Sequence, residues 1–304
     1  MSADIPFDRS FDLPPETVEE VVPGVRRLLA NNPGPFTFKG TVSYIVGRGR
    51  VAIIDPGPLD ATHIAALLDA VRGETVTHIF VTHTHRDHSP AVPRVKAATG
   101  ALVLAEGAHR PARALHTGEA PRMDASNDID FRPDRALADG EVVTGPGWTI
   151  EAVTTPGHTA NHMAFALKEA DLLFSGDHVM AWSTSVIAPP DGSMGAYMAS
   201  LERLRSRADT IYWPGHGGPV LEPAEYLRAL IRHRRQREAS ILAALREGAA
   251  TIPDLVAKVY VDLAPPLIHA AGLSTLSHLK DLSERGLVVR IAPAESRDTR
   301  FRLA

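Results

Sequence analysis

Three imidazoles and a carboxylate lie within six residues of this sequence, and their spacing is the first indication of chemistry. Residues 82–89 read Thr-His-Thr-His-Arg-Asp-His-Ser and directly follow an apolar run at 79–81 that predicts a buried strand. Strand side chains alternate between faces, but they can converge where the strand gives way to a turn. Imidazole nitrogen and carboxylate oxygen, without thiolate, suit zinc, with iron and manganese as alternatives. The segment therefore predicts a metal site, and a chance polar loop is the weaker explanation.

The same arrangement of a strand followed by a polar turn recurs along the chain. Asp55 follows an apolar run at 51–54, Asp177 follows one at 171–174, and His216 follows one at 210–213. His158 lies in a further Gly-containing turn after 148–153. Each of these residues taken alone is better explained as part of an ordinary turn than as a ligand. Their recurrence predicts that all of these side chains belong to one site.

The ligand order resembles that of the metallo-β-lactamase superfamily. His83-x-His85-x-Asp87-His88 is followed by His158, Asp177 and His216, over roughly residues 24–222. The Pro-Gly-His-Thr turn at 156–159 and the C-terminal segment are similar to the β-lactamase-like protein 2 group. The resemblance implies an α/β (α+β) fold, a four-layer αβ/βα sandwich in which two mixed sheets pack face to face with helices outside.

The resemblance also implies two divalent metal ions and a role for each candidate residue. One ion would be held by three histidines, the other by a carboxylate and two histidines, and Asp177 would bridge them; the two sets are His83, His85 and His158, and Asp87, His88 and His216. Asp87 and Asp177 would be catalytic. Asp55 would orient a ligand histidine, and His162 would line the site. His178 stands where a small residue or Cys is expected, so its role behind the ligands or as a gate is left open.

Two metal ions about 3.5–4 Å apart can share a hydroxide and lower its pKa to roughly 7, which implies hydrolysis. Three functions remain open: a hydrolase of a small ester, thioester or lactone, an endoribonuclease acting on single-stranded RNA, and a metal-sensing winged-helix protein that binds nucleic acid. We expect the first, because a complete ligand set argues against a mere sensor. No lysine lies between Asp177 and His216 to anchor a β-lactam carboxylate. His85 stands where a flavodiiron protein would need Glu.

The C-terminal part of the chain differs in pattern and charge. Helices are predicted over 225–245, 251–260 and 268–285, followed by strands over 287–291 and 299–303, which is the outline of a winged helix. We therefore divide the chain into a catalytic domain, 1–222, and a C-terminal domain, 223–304, for which a cap that packs or forms a homodimer is the alternative. Residues 225–304 carry a net charge of +4 and the preceding residues −8, which together give −4. If RNA is the substrate, its phosphates would contact Arg232, Arg234, Arg235 and Arg237; no aromatic residues are interleaved with them.

Composition limits the remaining function classes. The 304 residues include no cysteine, which excludes disulfides and a catalytic thiol. No apolar run approaches the ~20 residues that span a bilayer, and the N-terminus lacks the features of a signal peptide, so we expect a cytoplasmic protein with no membrane partner. Residues 107–140 show little periodicity and predict a flap beside the metal site. We expect His109 and His116 in this segment to be solvated.

Overall fold

The structure is a computed structural model that describes residues 5–113, 126–261, 263, 265–291 and 299–304. Its first sheet has seven strands in sequential order, antiparallel from β1 to β4 and parallel from β4 to β7. Helices α1 and α2 make the crossovers before β5 and β6. The strands are β1 Val18–Val22, β2 Val25–Leu29, β3 Val42–Val46, β4 Arg50–Ile54, β5 Thr75–Val81, β6 Leu102–Ala105 and β7 Arg135–Ala136, and the helices are α1 Ala61–Ala70 and α2 Val92–Thr99.

The second sheet has five strands in the order β12-β11-β10-β9-β8. It is antiparallel except at its β11–β12 pair, which is parallel because helix α3 connects these two strands. Helix α4 follows β12 after a loop over 215–222 that carries His216. The elements are β8 Val142–Gly145, β9 Trp148–Thr154, β10 Met163–Leu167, β11 Leu172–Gly176, α3 Met194–Arg205, β12 Ile211–Pro214 and α4 Pro223–Arg246.

Strands that are buried on both faces create the four layers. In β10, Phe165 points into the core between the two sheets, whereas its neighbours Ala164 and Ala166 point into the core beneath α3 and α4. In β3, Tyr44 points into the core between the sheets and Ile45 into the core beneath α1 and α2. Alternate side chains of one strand therefore enter different cores, so both faces of each sheet are covered. The predicted four-layer sandwich is confirmed.

The C-terminal segment, residues 223–304, builds a small winged-helix unit with its own core. A three-stranded sheet in the order β13-β15-β14 packs with α5 and α6 against the second half of α4. Thr251 and Asp254 form a capping box at the start of α5, which satisfies backbone N–H groups at that end of the helix. The elements are β13 Ala250–Thr251, α5 Ile252–Val259, α6 Ile268–Glu284, β14 Val288–Arg290 and β15 Arg300–Leu303.

Helix α4 joins the two parts of the chain because it contributes to two cores. Tyr226, Leu227 and Leu230 pack beneath the second sheet, whereas Ile241 and Leu245 belong to the C-terminal core. The division at residue 222 stays a prediction. Among the described helices, none is both long and apolar enough to cross a membrane.

Candidate metal centre

The turns that carry the candidate ligands meet at one end of the sandwich. Asp55 follows β4 and residues 83–88 follow β5, while Asp177 follows β11 and His216 follows β12. Each of these strand pairs is parallel, so its carboxyl ends lie at the same edge of the sheet, where open α/β sheets build their sites. His158 follows β9, which pairs with the neighbouring β10. The strands thus bring the dispersed residues together.

Asp55 ties the end of β4 to the histidine-rich segment. It has a positive φ of 49°, a conformation that is uncommon outside glycine. Its Oδ1 accepts the Thr82 backbone N–H at 2.7 Å, and its Oδ2 accepts the Thr82 hydroxyl at 2.6 Å and lies 2.9 Å from His88 Nδ1. With Nδ1 turned toward Asp55, the Nε2 atom of His88 faces the other ligands.

The first group of candidate ligands contains His83, His85, His158 and Asp177, and it is one of two groups that could hold a metal ion. The Nε2 atoms of His83 and His158 each lie 3.0 Å from Nδ1 of His85. The Nδ1–H of His158 can donate to the Val186 carbonyl at 2.7 Å. This outer hydrogen bond leaves Nε2 of His158 as the lone-pair atom inside the group.

The second group contains Asp87, His88 and His216. Oδ2 of Asp87 lies 3.3 Å from Nε2 of His88 and 3.2 Å from Nε2 of His216, and it accepts the Thr41 hydroxyl at 3.1 Å. Nδ1 of His216 faces the Gly40 carbonyl at 3.0 Å, so its Nε2 points inward. Thr41 has no sequence signal, since it precedes an ordinary strand far from the motif.

Asp177 lies between the two groups. Its Oδ2 is 3.7 Å from Nε2 of His158 and 3.3 Å from Nε2 of His216, and its Oδ1 is 3.4 Å from Nε2 of His88. One carboxylate therefore contacts histidines of both groups. This is the arrangement that a shared anion between two cations requires.

Burial sets the protonation of the first group. Loss of hydration lowers the pKa of His85 to about 3, and the neighbouring imidazole of His158 adds to the effect. The pKa values of His83 and His158 are lowered for the same first reason. Neutral imidazoles are the form that binds a metal ion. These three side chains are therefore ready to act as ligands at neutral pH.

Carboxylates reverse this trend in the second group. Burial alone would lower the pKa of His88, but Asp87 and Asp177 outweigh it and raise the value well above the usual one. Burial would likewise lower the pKa of His216, but Asp177 outweighs burial and raises this pKa to about 10. Without a metal ion, the second group therefore holds protons as its counter-charge.

The donor set fits divalent ions. Nε2 of His88 and Oδ1 of Asp177 are buried and lie 3.4 Å apart, in ion-pair contact, but neither makes a hydrogen bond among the described residues. Buried polar atoms normally make hydrogen bonds. Two buried atoms that make none and face the same space indicate a ligand between them. Nδ1 of His85 also lies 3.0 Å from Nε2 of both His83 and His158, and such converging imidazole nitrogens suit a shared cation. Nitrogen and oxygen donors without thiolate are consistent with zinc, iron or manganese.

Two further histidines lie behind the ligands rather than among them. Nδ1 of His162 faces the Thr155 hydroxyl at 2.8 Å, and its Nε2 accepts the backbone N–H of Asp177 at 3.2 Å. His178 is fully buried, with its ring 4.5 Å from the ring of Tyr197 and 5.5 Å from that of His162. Neither belongs to a candidate ligand group of the described residues. The ring of His178 lies between those of Tyr197 and His162, and its role stays open.

The segment 107–140 borders the site where it is described. The backbone N–H of Asp128 donates to the Thr84 carbonyl at 2.7 Å, and Ser89 donates to the Asp128 carboxylate at 2.8 Å. The expectation that His109 is solvated is wrong: its side chain is only 11% exposed, with Nε2 3.5 Å from Asp191. His109 is buried because its segment packs against the histidine-rich segment that follows β5. His116 lies outside the described residues.

The four C-terminal arginines do not form the single surface set that a phosphate-binding face would need. Arg234 is only 3% exposed, and Arg237 donates to the Val259 carbonyl at 2.6 Å. Arg235 is exposed and pairs with Glu202 at 2.8 Å, while Arg232 is also on the surface. This split could not be predicted from the sequence, because helix periodicity alone does not show which arginines face another part of the chain.

Comparisons with known proteins agree with this geometry. Residues 36–216 match the family model described as the metallo-beta-lactamase superfamily, and residues 251–296 match the beta-lactamase associated winged helix domain. The second match lies within the segment predicted to be a winged helix.

Relatives align over most of their lengths. The chain is 31% identical to a beta-lactamase-like protein 2 homolog of Caenorhabditis elegans, over 90% of this chain and 88% of that one. It is also 31% identical to an atrochrysone carboxyl ACP thioesterase of Aspergillus chevalieri, over 82% and 77%. A beta-lactamase domain protein from Burkholderia ambifaria has the same fold, with a TM-score of 0.79, 23% identity, and 98% and 97% coverage.

Proposed function

This chain belongs to the metallo-beta-lactamase superfamily, and we propose that it is a two-metal hydrolase of small thioesters. That it is a hydrolase follows from the family and from its thioesterase and lactamase-like relatives. Thioesters come first among the esters, thioesters and lactones expected from the sequence, because a relative with 31% identity is named a thioesterase. Zinc is the ion we propose, given the nitrogen and oxygen donors.

The position of Asp177 carries the two-metal proposal. A carboxylate whose two oxygens face histidines of both groups can neutralise two neighbouring cations at once. Its pKa is held well below the usual range: burial opposes this, but the imidazoles of His216 and His88 outweigh burial. Asp177 is therefore an anion at neutral pH.

Divalent ions in this centre would supply a nucleophile from water at neutral pH and polarise the scissile carbonyl. Asp87 is the carboxylate we assign to proton transfer, since 24% of its side chain is exposed against 8% for Asp177. Its Oδ2 is held by Thr41 and the two histidines, which leaves Oδ1 to take the proton. Asp55 keeps His88 oriented throughout.

An aromatic pair beside the centre suits an apolar acyl group. The rings of Phe38 and Trp182 stack with centroids 4.9 Å apart, and both lie against Gly217, directly after His216. Both side chains are partly exposed. In the reaction, water adds to the carbonyl carbon, the carbon–sulfur bond breaks, and the proton ends on the departing thiol.

A substrate panel tests the proposal. Protein loaded with two equivalents of zinc is incubated with matched thioesters, oxygen esters, lactones, phosphodiesters and single-stranded RNA. Released thiol can be read with a thiol reagent without background from the protein, because the chain has no cysteine. We expect thioester cleavage that is lost in Asp87→Asn. Cleavage of RNA or phosphodiesters without any of thioesters would contradict the proposal and support the nuclease alternative.

A further inference from the structure

Arg234 is a buried cation in the middle of α4. It is 3% exposed, and within the described part of the chain its contacts include no carboxylate. Nη2 donates to the Ser185 carbonyl at 2.5 Å, Nη1 donates to the Ser274 hydroxyl of α6 at 3.2 Å, and the guanidinium lies 5.2 Å from the centre of the Tyr197 ring. Burying an unpaired charge is costly, so its retention calls for an explanation.

One arm of the guanidinium leads to His158. The Ser185 hydroxyl lies 3.1 Å from Nδ1 of His158, and the next residue, Val186, offers its carbonyl to the same atom at 2.7 Å. These two groups hold the Nδ1–H and so aim Nε2 into the first ligand group. Arg234 fixes the backbone from which both groups project.

The other face of the guanidinium leads to the turn before His158 and to the residue after Asp177. Tyr197 packs its backbone against Gly157, where even a methyl group would overlap it. The Tyr197 hydroxyl donates to the His178 carbonyl at 3.1 Å. The contacts of Arg234 with Ser185 and Tyr197 thus lead to His158 and to the residue that follows Asp177.

We infer that Arg234 is a positioning residue through which the C-terminal segment sets the orientation of His158, and so the affinity of the first ligand group for its metal ion. The inference rests on the proposed two-metal centre. Guanidinium is suited to this task, since its planar fork can hold Ser185 and Ser274 at once. The winged-helix unit then has a function in completing the metal centre as well as in packing.

Replacing Arg234 by an apolar residue distinguishes a positioning role from a purely structural one. Exchanging a buried charged group for a hydrophobic side chain of similar size is often neutral or stabilising, because the desolvation cost disappears. Arg234→Met should therefore fold at least as stably as the wild type if Arg234 only packs. If Arg234 positions His158, the same variant should bind its first ion more weakly, whatever its stability.

Arg237 offers a matched control on the same helix. It donates to the Val259 carbonyl at 2.6 Å and lies 4.5 Å from the centre of the Tyr260 ring. Like Arg234, it thus contacts one carbonyl and one aromatic ring, but it has no counterpart of the Ser274 contact and its partners stay within the C-terminal segment. Arg237→Met removes the same kind of side chain without touching the ligand loops.

The test is stepwise titration of the metal-free full chain with Co²⁺, followed by visible absorption and by competition with a chelator. We expect Arg234→Met to bind one of the two ions about 10–100-fold more weakly, the range for lost support of a ligand, and the other ion as the wild type does. Arg234→Lys, with one ammonium in place of the fork, should fall between, and Arg237→Met should match the wild type.

Unchanged affinities for both ions in Arg234→Met would overturn the inference, as would an equal loss in Arg237→Met. If Arg234→Met does not fold, Ser274→Ala decides: it removes only the outer anchor and should weaken the same single ion several-fold. Wild-type protein that binds no ion would instead refute the proposed metal centre, and this inference with it. Two ions bound alike by wild type and variants would refute the inference alone.

Discussion

At the scale of single residues, the site separates neutral from protonated histidines. Burial keeps the pKa values of His83, His85 and His158 low. Asp87 and Asp177 raise those of His88 and His216. One carboxylate, Asp177, contacts both sets. This charge pattern gives the two proposed metal sites different dependence on pH and a common dependence on Asp177.

Replacing Asp177 by Ala should remove the anion that two neighbouring cations share. Their repulsion in a partly buried site is then uncompensated, so we expect loss of bound metal and at least ~100-fold lower activity, as for an essential catalytic group. Elemental analysis and turnover measure the two effects. Asp139→Ala, at a surface carboxylate paired with Arg203, is the control. Wild-type turnover in Asp177→Ala would refute the bridging role.

The two metal affinities should respond differently to pH between 6 and 8. The histidines of the first group have lowered pKa values and are already neutral, so their ion needs to displace no proton from them. In the second group the pKa of His216 is raised to about 10, so an ion must displace protons, and affinity should rise about tenfold per pH unit for each proton released. Competition titrations at pH 6, 7 and 8 measure both. Equal slopes would contradict the assignment.

At the scale of elements, strand ends determine where the ligands meet, and this could be predicted from the sequence. The apolar runs before Asp55, Asp177 and His216 are strands, and the ligand motif follows β5. The charged hairpin of β1 and β2 was missed, since its Glu and Arg side chains pair across an exposed edge, as Glu19 does with Arg27. The sequences of these two strands, Val-Glu-Glu-Val-Val and Val-Arg-Arg-Leu-Leu, do not alternate between apolar and polar residues, so the strand pattern is absent.

Other parts of the site could not be predicted because they depend on tertiary contacts. Thr41 reaches Asp87 across 46 residues of sequence, and Arg234 reaches Ser185 across 49. Neither has a motif, and neither residue type alone indicates a role. The burial of His109 also arises only from the packing of its loop. The periodicity of apolar residues predicts a helix or a strand, but only the fold determines which residues pack against each of its faces.

The turn that carries His158 should tolerate no side chain at Gly157. Its φ is +147°, and a methyl group would overlap Cα and N of Tyr197 on α3. Gly157→Ala should cost at least the ~1–3 kcal/mol typical of overpacking and weaken metal binding. Gly140→Ala is the control, since φ is +73° but nothing lies within 4 Å, so only backbone strain of roughly 1–2 kcal/mol is expected. Denaturant unfolding with metal titration measures both. Equal losses would contradict the close packing.

At the scale of the whole molecule, α4 makes the two parts of the chain interdependent. Its first half packs beneath the second sheet and its second half packs in the C-terminal core. Arg234 lies between these halves and contacts the ligand loop. The winged-helix unit is thus joined to the metal centre by a continuous helix. A homodimer stays a prediction.

Nucleic-acid binding should be weak, because the four arginines of residues 232–237 do not share one exposed face: Arg234 is buried and Arg237 is bound to the Val259 carbonyl. Each phosphate neutralised on a single strand changes the log–log salt slope by about 0.7. We expect weak RNA binding at ~0.15 M salt, and no change in thioester cleavage when Arg228, Arg232 and Arg235 are replaced by Ala. Binding isotherms at several salt concentrations measure this. Tight RNA binding that the three substitutions abolish would support a nuclease.

The most direct test of the account is to titrate the metal-free protein with zinc while following thiol release from a small thioester. Activity should be near zero without metal, rise with added zinc, and reach its maximum at two equivalents per chain, because both ligand groups face the same Asp177. Full activity at one equivalent, or thiol release that is independent of metal, would contradict the proposed two-metal hydrolase.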